Sequence, residues 1–454
     1  MAEQSNPGGG LGVDLYHIDS AYIAWRTGIA MPATFDLYTR HAPFGGAYLL
    51  VAGLEPALQF VTNLRFGDEE IAYLRSIRPY DEAFLAALRD LRFTGEILAI
   101  PEGEIAFADE PLLRVTAPFL EALLVESGLL HTVGVSTLIA TKAARIVLAA
   151  EGRPVAEFGY RRAQAPFLAA RSAYIGGCTS TSFLAAARRF GIPTSGTIPH
   201  ALVEAFPTEA DAFRAVAETL DRYSLLLDTY DVDRAIRTAI EVAHDAERRT
   251  GHKLASVRLD SGDLVADSRH VRAALDAAGM SEVRVLASGD LDEWRIAELL
   301  AAGAPIDGFG VGTSIATAAG SVEQGVEGGA LGTVYKLAWL EGSASAPIKI
   351  AGAKSTWPGK KQIVRVGAFE RDIIQLDEEQ LPARSRPILI PAMTAGTPAA
   401  LPSLADIRER VMANLAALPA RYRSSDEPAS YPVERSPSLT ALRDRTIAGH
   451  AATP

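Results

Sequence analysis

The sequence is short of cysteine, of basic charge and of long apolar runs. Cys178 is the single cysteine in 454 residues. No disulfide can therefore form within the chain, and no cysteine-based zinc site can be assembled. A reducing compartment fits that usage, and a cytoplasmic location is expected. Acidic residues outnumber basic ones by 55 to 44, for a net charge of -11. A face that neutralises a nucleic-acid backbone needs the opposite surplus, so no nucleic-acid partner is expected. The balance still leaves room for a local basic pocket around a small anion. No apolar run approaches the roughly 20 residues that span a bilayer, so no membrane partner is expected either. Residues 1–12 are polar and glycine-rich, lack the apolar centre of a signal peptide, and read as a flexible tail.

What is present is ordinary for a large globular enzyme. Hydrophobic residues make up 48% and charged residues 22%, and the length suits two to three domains with a sizeable core. Residues 13–150 read as an α+β domain. A helix ends near Gly28, strands are expected at Thr34 to Arg40 and Ala47 to Ala52, and helices at Leu54 to Leu64, Asp68 to Ile77 and Asp81 to Leu91. A strand pair at Ile97 to Gly103 and Leu112 to Val115 precedes two apolar helical stretches. Over residues 151–325 a strand–helix rhythm sets in, with strands starting near Val155, Thr194, Leu225, Ala255, Val283 and Ile306. That spacing implies parallel strands joined by crossover helices, in a barrel or an open wound sheet. Residues 326–424 carry further strands that are expected to rejoin the first domain, and residues 425–454 read as a second tail. No internal repeat is found beyond the βα period.

In the βα portion, polar residues gather after the strands, where ligands of such folds bind. One stretch stands out. Phe158-Gly159-Tyr160-Arg161-Arg162-Ala163 supplies two adjacent arginines, and Gly196-Thr197-Ile198-Pro199-His200 sets a histidine on a stiff turn. Each piece alone has a bland reading: a solvated charge pair, an ordinary loop, a structural histidine. Further on, Arg258 and Asp260 lie two apart and share one strand face. Such a pair can clamp a diphosphate and hold ribose hydroxyls or the water shell of Mg2+; an intra-strand ion pair is the plain alternative. Glycine turns at Ser288-Gly289-Asp290 and Gly310-Val311-Gly312-Thr313 suit phosphate oxygens, although a tight turn explains them equally well. The planar fork of arginine matches a carboxylate, and an aromatic face from Tyr16 or Tyr160 would match a flat ring.

These motifs, in this order, resemble the nicotinate phosphoribosyltransferases. The resemblance runs from about Asp14 to Val366. It rests on Asp14-Leu15-Tyr16, Phe158 to Ala163, Gly196-Thr197 with His200, Asp228 to Asp231, Arg258 to Leu264, Ser288 to Leu291, Gly310 to Thr313, Tyr335-Lys336-Leu337 and Lys354 to Lys361. It implies an irregular α/β barrel with an α+β domain formed from both chain ends, working as a homodimer with shared active sites. It also implies formation of nicotinate mononucleotide and diphosphate from nicotinate and 5-phosphoribosyl 1-diphosphate. ATP is the co-substrate, acting through a phosphorylated histidine, and Mg2+ is the cofactor. By similarity His200 is the phosphorylated residue, with Asp260 beside it in catalysis. Tyr16 reaches the nicotinate site of a neighbouring subunit, and Tyr160, Arg161 and Thr197 face nicotinate. Arg258, Asp260, Ser288, Gly289, Gly312 and Thr313 line the phosphoribosyl diphosphate and product phosphate sites. Lys336 and Lys354 serve ATP or phosphate. No resident metal ligand set is implied.

Two positions depart from the family pattern: Ala201 directly follows the histidine, and Phe167 follows the proline of the arginine motif. Three other readings stay open. A sister enzyme acting on nicotinamide or quinolinate would differ in turnover. A phosphate-binding barrel lyase or isomerase would need a Schiff-base lysine or a metal cluster at strand ends, and Lys253 precedes its strand rather than following it. A paralogue without activity would have lost the histidine or the arginine pair.

Overall fold

The computed structural model describes residues 9–343, 345–350, 355–425 and 428–451. They form two compact units. One comprises residues 1–141 and 330–454, so it is built from both chain ends; the other is the contiguous stretch 142–329.

The discontinuous unit is organised on a six-stranded antiparallel sheet. The strand Pro32–Thr39 lies between Thr333–Leu340 and Leu113–Pro118, followed by Glu96–Ala99, Ile390–Thr394 and Thr397–Pro398. Pro32–Thr39 is buried on both faces, with Phe35 and Leu37 on one and Thr34 and Asp36 on the other, and Phe35 stacks on Tyr335 of the C-terminal part at 4.7 Å. The expected strand from Ala47 to Ala52 shrinks to Leu49–Leu50. Threonine hydroxyls take the amides of Leu50 within it and Ala52 beyond it, through Thr141 and Thr137.

Two expectations for the termini are overturned. Within the first tail, Gly9–Leu11 forms a turn of 3-10 helix with Gly10 buried against Phe66; residues 1–8 lie outside the described ones. The second tail contains the strand Val433–Arg435, which adds in parallel to Arg371–Leu376, and the helix Pro437–Ala451. Sequence gave no warning because the fastening is tertiary. Tyr431 stacks on Phe107 at 3.5 Å and donates to Asp372 at 2.9 Å. Asp372 also holds the fully buried Arg365 at 2.6 Å, and Arg365 reaches Glu104 at 3.0 Å.

The helix Glu126–Ala149 corrects a third expectation. It is long and apolar enough to cross a membrane by length and composition, yet 72% of its most apolar stretch is buried inside the protein, as in a core helix.

The contiguous unit carries a six-stranded, wholly parallel sheet in the order Ser180–Thr181, Val155–Glu157, Gly308–Val311, Arg284–Ala287, Lys253–Leu259, Arg222–Leu226. It is a half-barrel flanked by crossover helices: the periodicity left a barrel and an open wound sheet both possible, and the resemblance implied the irregular α/β barrel. The helix Val232–Thr250 falls where the pattern placed it, capped by Asp231 and ended by Gly251 in the left-handed region. The strand expected near Thr194 does not form. Pro193 has no N–H to give to a ladder, and Thr194 makes only an isolated bridge to Thr181. The short strand Ser180–Thr181 takes that place.

Replacing Arg365 by methionine leaves the buried Asp372 carboxylate without its cation, while Glu104 keeps Arg386 at 2.9 Å. A stability loss of about 3–5 kcal/mol is expected in denaturant unfolding. A loss under about 1 kcal/mol would show that the buried pair does not fasten the C-terminal strand.

Candidate active site

Five of the six parallel strands end immediately before a residue that lines one cleft of about 640 Å3. Phe158, Ser182, Asp260, Ser288 and Gly312 follow the last residues of their strands, and Arg161, Thr197, His200, Arg258 and Thr313 complete the wall. A parallel sheet brings the carboxyl ends together, so these residues converge although 155 positions separate Phe158 from Thr313.

The floor is an aspartate network. Asp260 and Arg258 share one face of Lys253–Leu259, while Val257 and Leu259 between and beside them are fully buried on the other. The Asp260 amide and the Ser261 hydroxyl both donate to Asp228 Oδ2, at 3.0 and 2.6 Å. The Ser288 hydroxyl donates to Asp260 Oδ1. His200 opens the short helix His200–Glu204 behind Pro199. Its Nδ1 lies 3.1 Å from Thr229 Oγ1, and its Nε2 is 3.9 Å from Asp260 Oδ2, beyond hydrogen-bond reach.

Cations form the rest. Arg161, Arg162 and Arg258 all line the cleft, and among the described residues none of them forms an ion pair with a carboxylate. Arg258 spends one N–H on the Ile198 carbonyl at 3.4 Å, and its Nε is buried without a partner. Burial lowers the Arg258 pKa and the nearby Arg161 charge lowers it further, against the pull of Asp260 and Asp228. The Thr197 hydroxyl is likewise buried without a hydrogen-bond partner. A buried guanidinium N–H and a buried hydroxyl that both lack hydrogen-bond partners among the described residues can take the oxygens of an anion.

The turn after Arg284–Ala287 is built for close approach. Gly289 (φ +89°) and Asp290 (φ +45°) are successive left-handed residues. A Cβ on Gly289 would stand 1.8 Å from the Asp260 carbonyl oxygen. The amides of Gly289 and Asp290 make no hydrogen bond with the described residues, so they are available to phosphate oxygens. Asp292 caps the following helix through the Arg295 amide at 2.8 Å. Glu293 next to it is buried between Lys142 at 2.6 Å and Arg145 at 2.8 Å.

Some expected roles change. Tyr160 does not line the cleft; its ring stacks on Phe183 at 4.0 Å. Phe158 lines it instead. A Cβ on Gly310 would lie 2.4 Å from the Phe158 ring, so this glycine makes room for an aromatic side chain rather than for phosphate. The polar residues after strands also divide: Asp231 and Asp263 cap helices. Phe158 and Ser182 were missed as site residues, and only their position next to a strand end could have signalled them. Tyr16 and Lys336 belong to the other unit. Tyr16 is exposed on the helix Leu15–Thr27, and Lys336 lines a separate pocket of about 230 Å3 with Arg40, Lys361, Arg435 and Trp357. Lys354 lies outside the described residues. Lys253 pairs with Glu247 at 3.3 Å at the far end of its strand, which removes the Schiff-base candidate of a barrel lyase.

Residues 11–134 match the nicotinate phosphoribosyltransferase (NAPRTase) N-terminal domain, and residues 381–443 match the C-terminal domain of the same family. A nicotinate phosphoribosyltransferase of Mycobacterium tuberculosis is 40% identical across 97% of this chain and 92% of its own length. The chain belongs to the nicotinate phosphoribosyltransferase family. A Bacillus subtilis member is 39% identical over 94% of this chain and 92% of its own. The crystal structure of human nicotinic acid phosphoribosyltransferase superposes with a TM-score of 0.82 at 29% identity, covering 95% of this chain and 99% of that one. A nicotinate-nucleotide pyrophosphorylase from Pyrococcus furiosus, at 24% identity and a TM-score of 0.72, covers 92% of this chain and 97% of its own and shares the fold. The half-barrel and the two-ended α+β unit are thus the architecture of the nicotinate phosphoribosyltransferase family.

Gly289→Ala forces a Cβ into the Asp260 carbonyl and strains a left-handed position. It is expected to cost roughly 1–3 kcal/mol in thermal unfolding and to lower affinity for a diphosphate ligand measured by calorimetry. Unchanged diphosphate affinity in a folded variant would remove this turn from the phosphate site.

Proposed function

We propose that this chain forms nicotinate mononucleotide and diphosphate from nicotinate and 5-phosphoribosyl 1-diphosphate, an NAD-salvage reaction driven by ATP through phosphorylation of His200. The observation that carries the reading is the cleft itself: three guanidinium groups and a buried hydroxyl, without carboxylate or hydrogen-bond partners respectively among the described residues, share it with a histidine whose Nδ1 is already engaged. The 40% identity to a nicotinate phosphoribosyltransferase across 97% of the chain supports the substrate class.

In this reading Arg161 and the Thr197 hydroxyl take the pyridine carboxylate, and Phe158 offers its ring face. Arg258 and the amides of Gly289 and Asp290 take phosphate oxygens. Asp260 and Asp228 face the sugar, where positive charge develops as the anomeric carbon parts from diphosphate and meets the ring nitrogen. If Nδ1–H donates to Thr229, Nε2 keeps its lone pair on the cleft side. It attacks the terminal phosphorus of ATP; an N–P bond forms, an O–P bond breaks, and ADP leaves.

Magnesium belongs with this chemistry. Among the described residues no three His, Cys, Asp or Glu side chains form a cage, but Asp260 and Asp290 both line the cleft. That donor set fits an ion that arrives with the diphosphate and keeps most of its waters. Asp260 and Asp290 would hold those waters, and the ion would offset the charge of the departing diphosphate. We further propose a homodimer in which Tyr16 of the partner subunit closes the pyridine site. Lys336 and Lys354 would serve ATP or phosphate.

The test is incubation with nicotinate, phosphoribosyl diphosphate, Mg2+ and ATP, with mass detection of the mononucleotide and of a phosphorylated peptide containing His200. Turnover of nicotinamide in preference to nicotinate, or carbon dioxide release from quinolinate, would reject the substrate assignment. His200→Ala is expected to abolish ATP stimulation and ADP release; ATP coupling that persists in that variant rejects the phosphohistidine. Arg161→Ala is expected to raise the nicotinate KM by about 10- to 100-fold, the value of one charged hydrogen-bonded contact. An unchanged KM would take Arg161 out of carboxylate recognition.

A further inference from the structure

Glu157 is a buried carboxylate that the reaction above does not use. It ends the strand Val155–Glu157 at 2% exposure. Among the described residues no cation stands within ion-pair distance of it. Burial raises its pKa, and only two hydrogen bonds work in the other direction, from Thr181 and Gly159. A buried carboxylate held by so little is costly, so what those two bonds do matters.

They close a loop. Glu157 Oε1 accepts the Gly159 amide. Glu157 Oε2 accepts the Thr181 hydroxyl at 2.6 Å. Thr181 Oγ1 in turn accepts the Phe183 amide at 3.1 Å. The Phe183 ring lies flat on Tyr160, 4.0 Å away with the planes 8° apart, and Tyr160 follows Gly159 directly. The loop therefore runs Glu157, Gly159, Tyr160, Phe183, Thr181 and back.

Two cleft residues hang from this loop. Phe158 sits between Glu157 and Gly159, and Arg161 follows Tyr160. The turn cannot retreat on its other side: a Cβ at Gly159 would stand 2.2 Å from that of Ala316 and 2.7 Å from the Gly312 carbonyl. The Phe158 amide is also fixed, donating to the Val311 carbonyl at 2.8 Å. Wedged against one strand end and fastened to another, the turn has one place to be.

We propose that this closed loop is a positioning clasp for the pyridine acid: Glu157, Thr181 and the Tyr160–Phe183 stack together set the Phe158 ring and the Arg161 guanidinium at the separation that a flat carboxylic acid requires. Glu157, Thr181 and Tyr160 are positioning residues here, acting through Phe158 and Arg161. The inference rests on the functional reading above.

The experiment is steady-state kinetics of the full-length chain with each substrate varied in turn. Thr181→Val and Tyr160→Ala are each expected to raise the nicotinate KM by about 10-fold, the scale of one lost hydrogen bond or ring pair. The phosphoribosyl diphosphate KM should move less than about 3-fold, because its contacts lie outside the loop. Tyr160→Phe keeps the ring face and should recover the nicotinate KM. The double variant Thr181→Val/Tyr160→Ala should lose less than the product of the two single losses, since opening the loop once releases the turn. Glu157→Ala tests the carboxylate directly, and the two milder variants decide the question if it does not fold. An unchanged nicotinate KM in both Thr181→Val and Tyr160→Ala overturns the clasp, as does an equal rise in both substrate KM values. A wild-type chain that forms no mononucleotide overturns the functional reading and the clasp with it. Wild-type turnover with unaltered variants overturns the clasp alone.

Discussion

Like charges held together without partners are the constraint on which this site depends. Arg161, Arg162 and Arg258 share one cleft and have no carboxylate partner among the described residues. Guanidinium groups stay protonated under essentially all conditions, so the molecule cannot relieve the repulsion by losing a proton. It has to hold them by backbone geometry. A parallel sheet does this cheaply, because every strand end is already fixed by ladder hydrogen bonds before any ligand arrives. The helix caps Asp231, Asp263 and Asp292 turn three of the six strand ends into the next helix. The whole chain is acidic, at -11, whereas the three arginines of the cleft are matched there in number by Asp260, Asp290 and Asp292.

The floor of the cleft shows why an arginine can be kept this way. Arg258 is flanked by buried apolar neighbours on its strand, and its own charge is disfavoured by burial and by Arg161. Asp260 and Asp228 moderate that cost without forming an ion pair with it; Asp228 Oδ2 takes the Asp260 amide and the Ser261 hydroxyl. A carboxylate tied down by neutral donors balances charge at a distance and leaves the guanidinium open to a ligand.

Much of this was legible in the residues, and the illegible parts have identifiable causes. The βα rhythm gave five of the six parallel strands and the helix Val232–Thr250, because amphipathic period and capping agree there. Arg258 with Asp260, and Gly289 before Asp290, could be read from spacing and turn chemistry. Thr194 misled because a β-branched residue after proline looks like a strand start. Tyr160 misled because a tyrosine beside two arginines invites a ligand, whereas Phe183, 23 positions on, claims its ring. Residues 425–454 looked like a tail because their partners, Phe107 and Asp372, are far away in sequence. For Tyr160 and for residues 425–454 a tertiary contact decided what local pattern could not.

The discontinuous unit has a consequence for how the chain is made. Pro32–Thr39 can pair with Leu113–Pro118 soon after both leave the ribosome, but its other edge waits for Thr333–Leu340. The stretch 142–329 is contiguous and can complete its own ladder in the meantime. Until the last third of the polypeptide emerges, the nascent protein carries a finished half-barrel and an unfinished sheet with both edges naked, since Glu96–Ala99 likewise waits for Ile390–Thr394. That interval is when the newborn chain is most open to mispairing with its neighbours on a polysome.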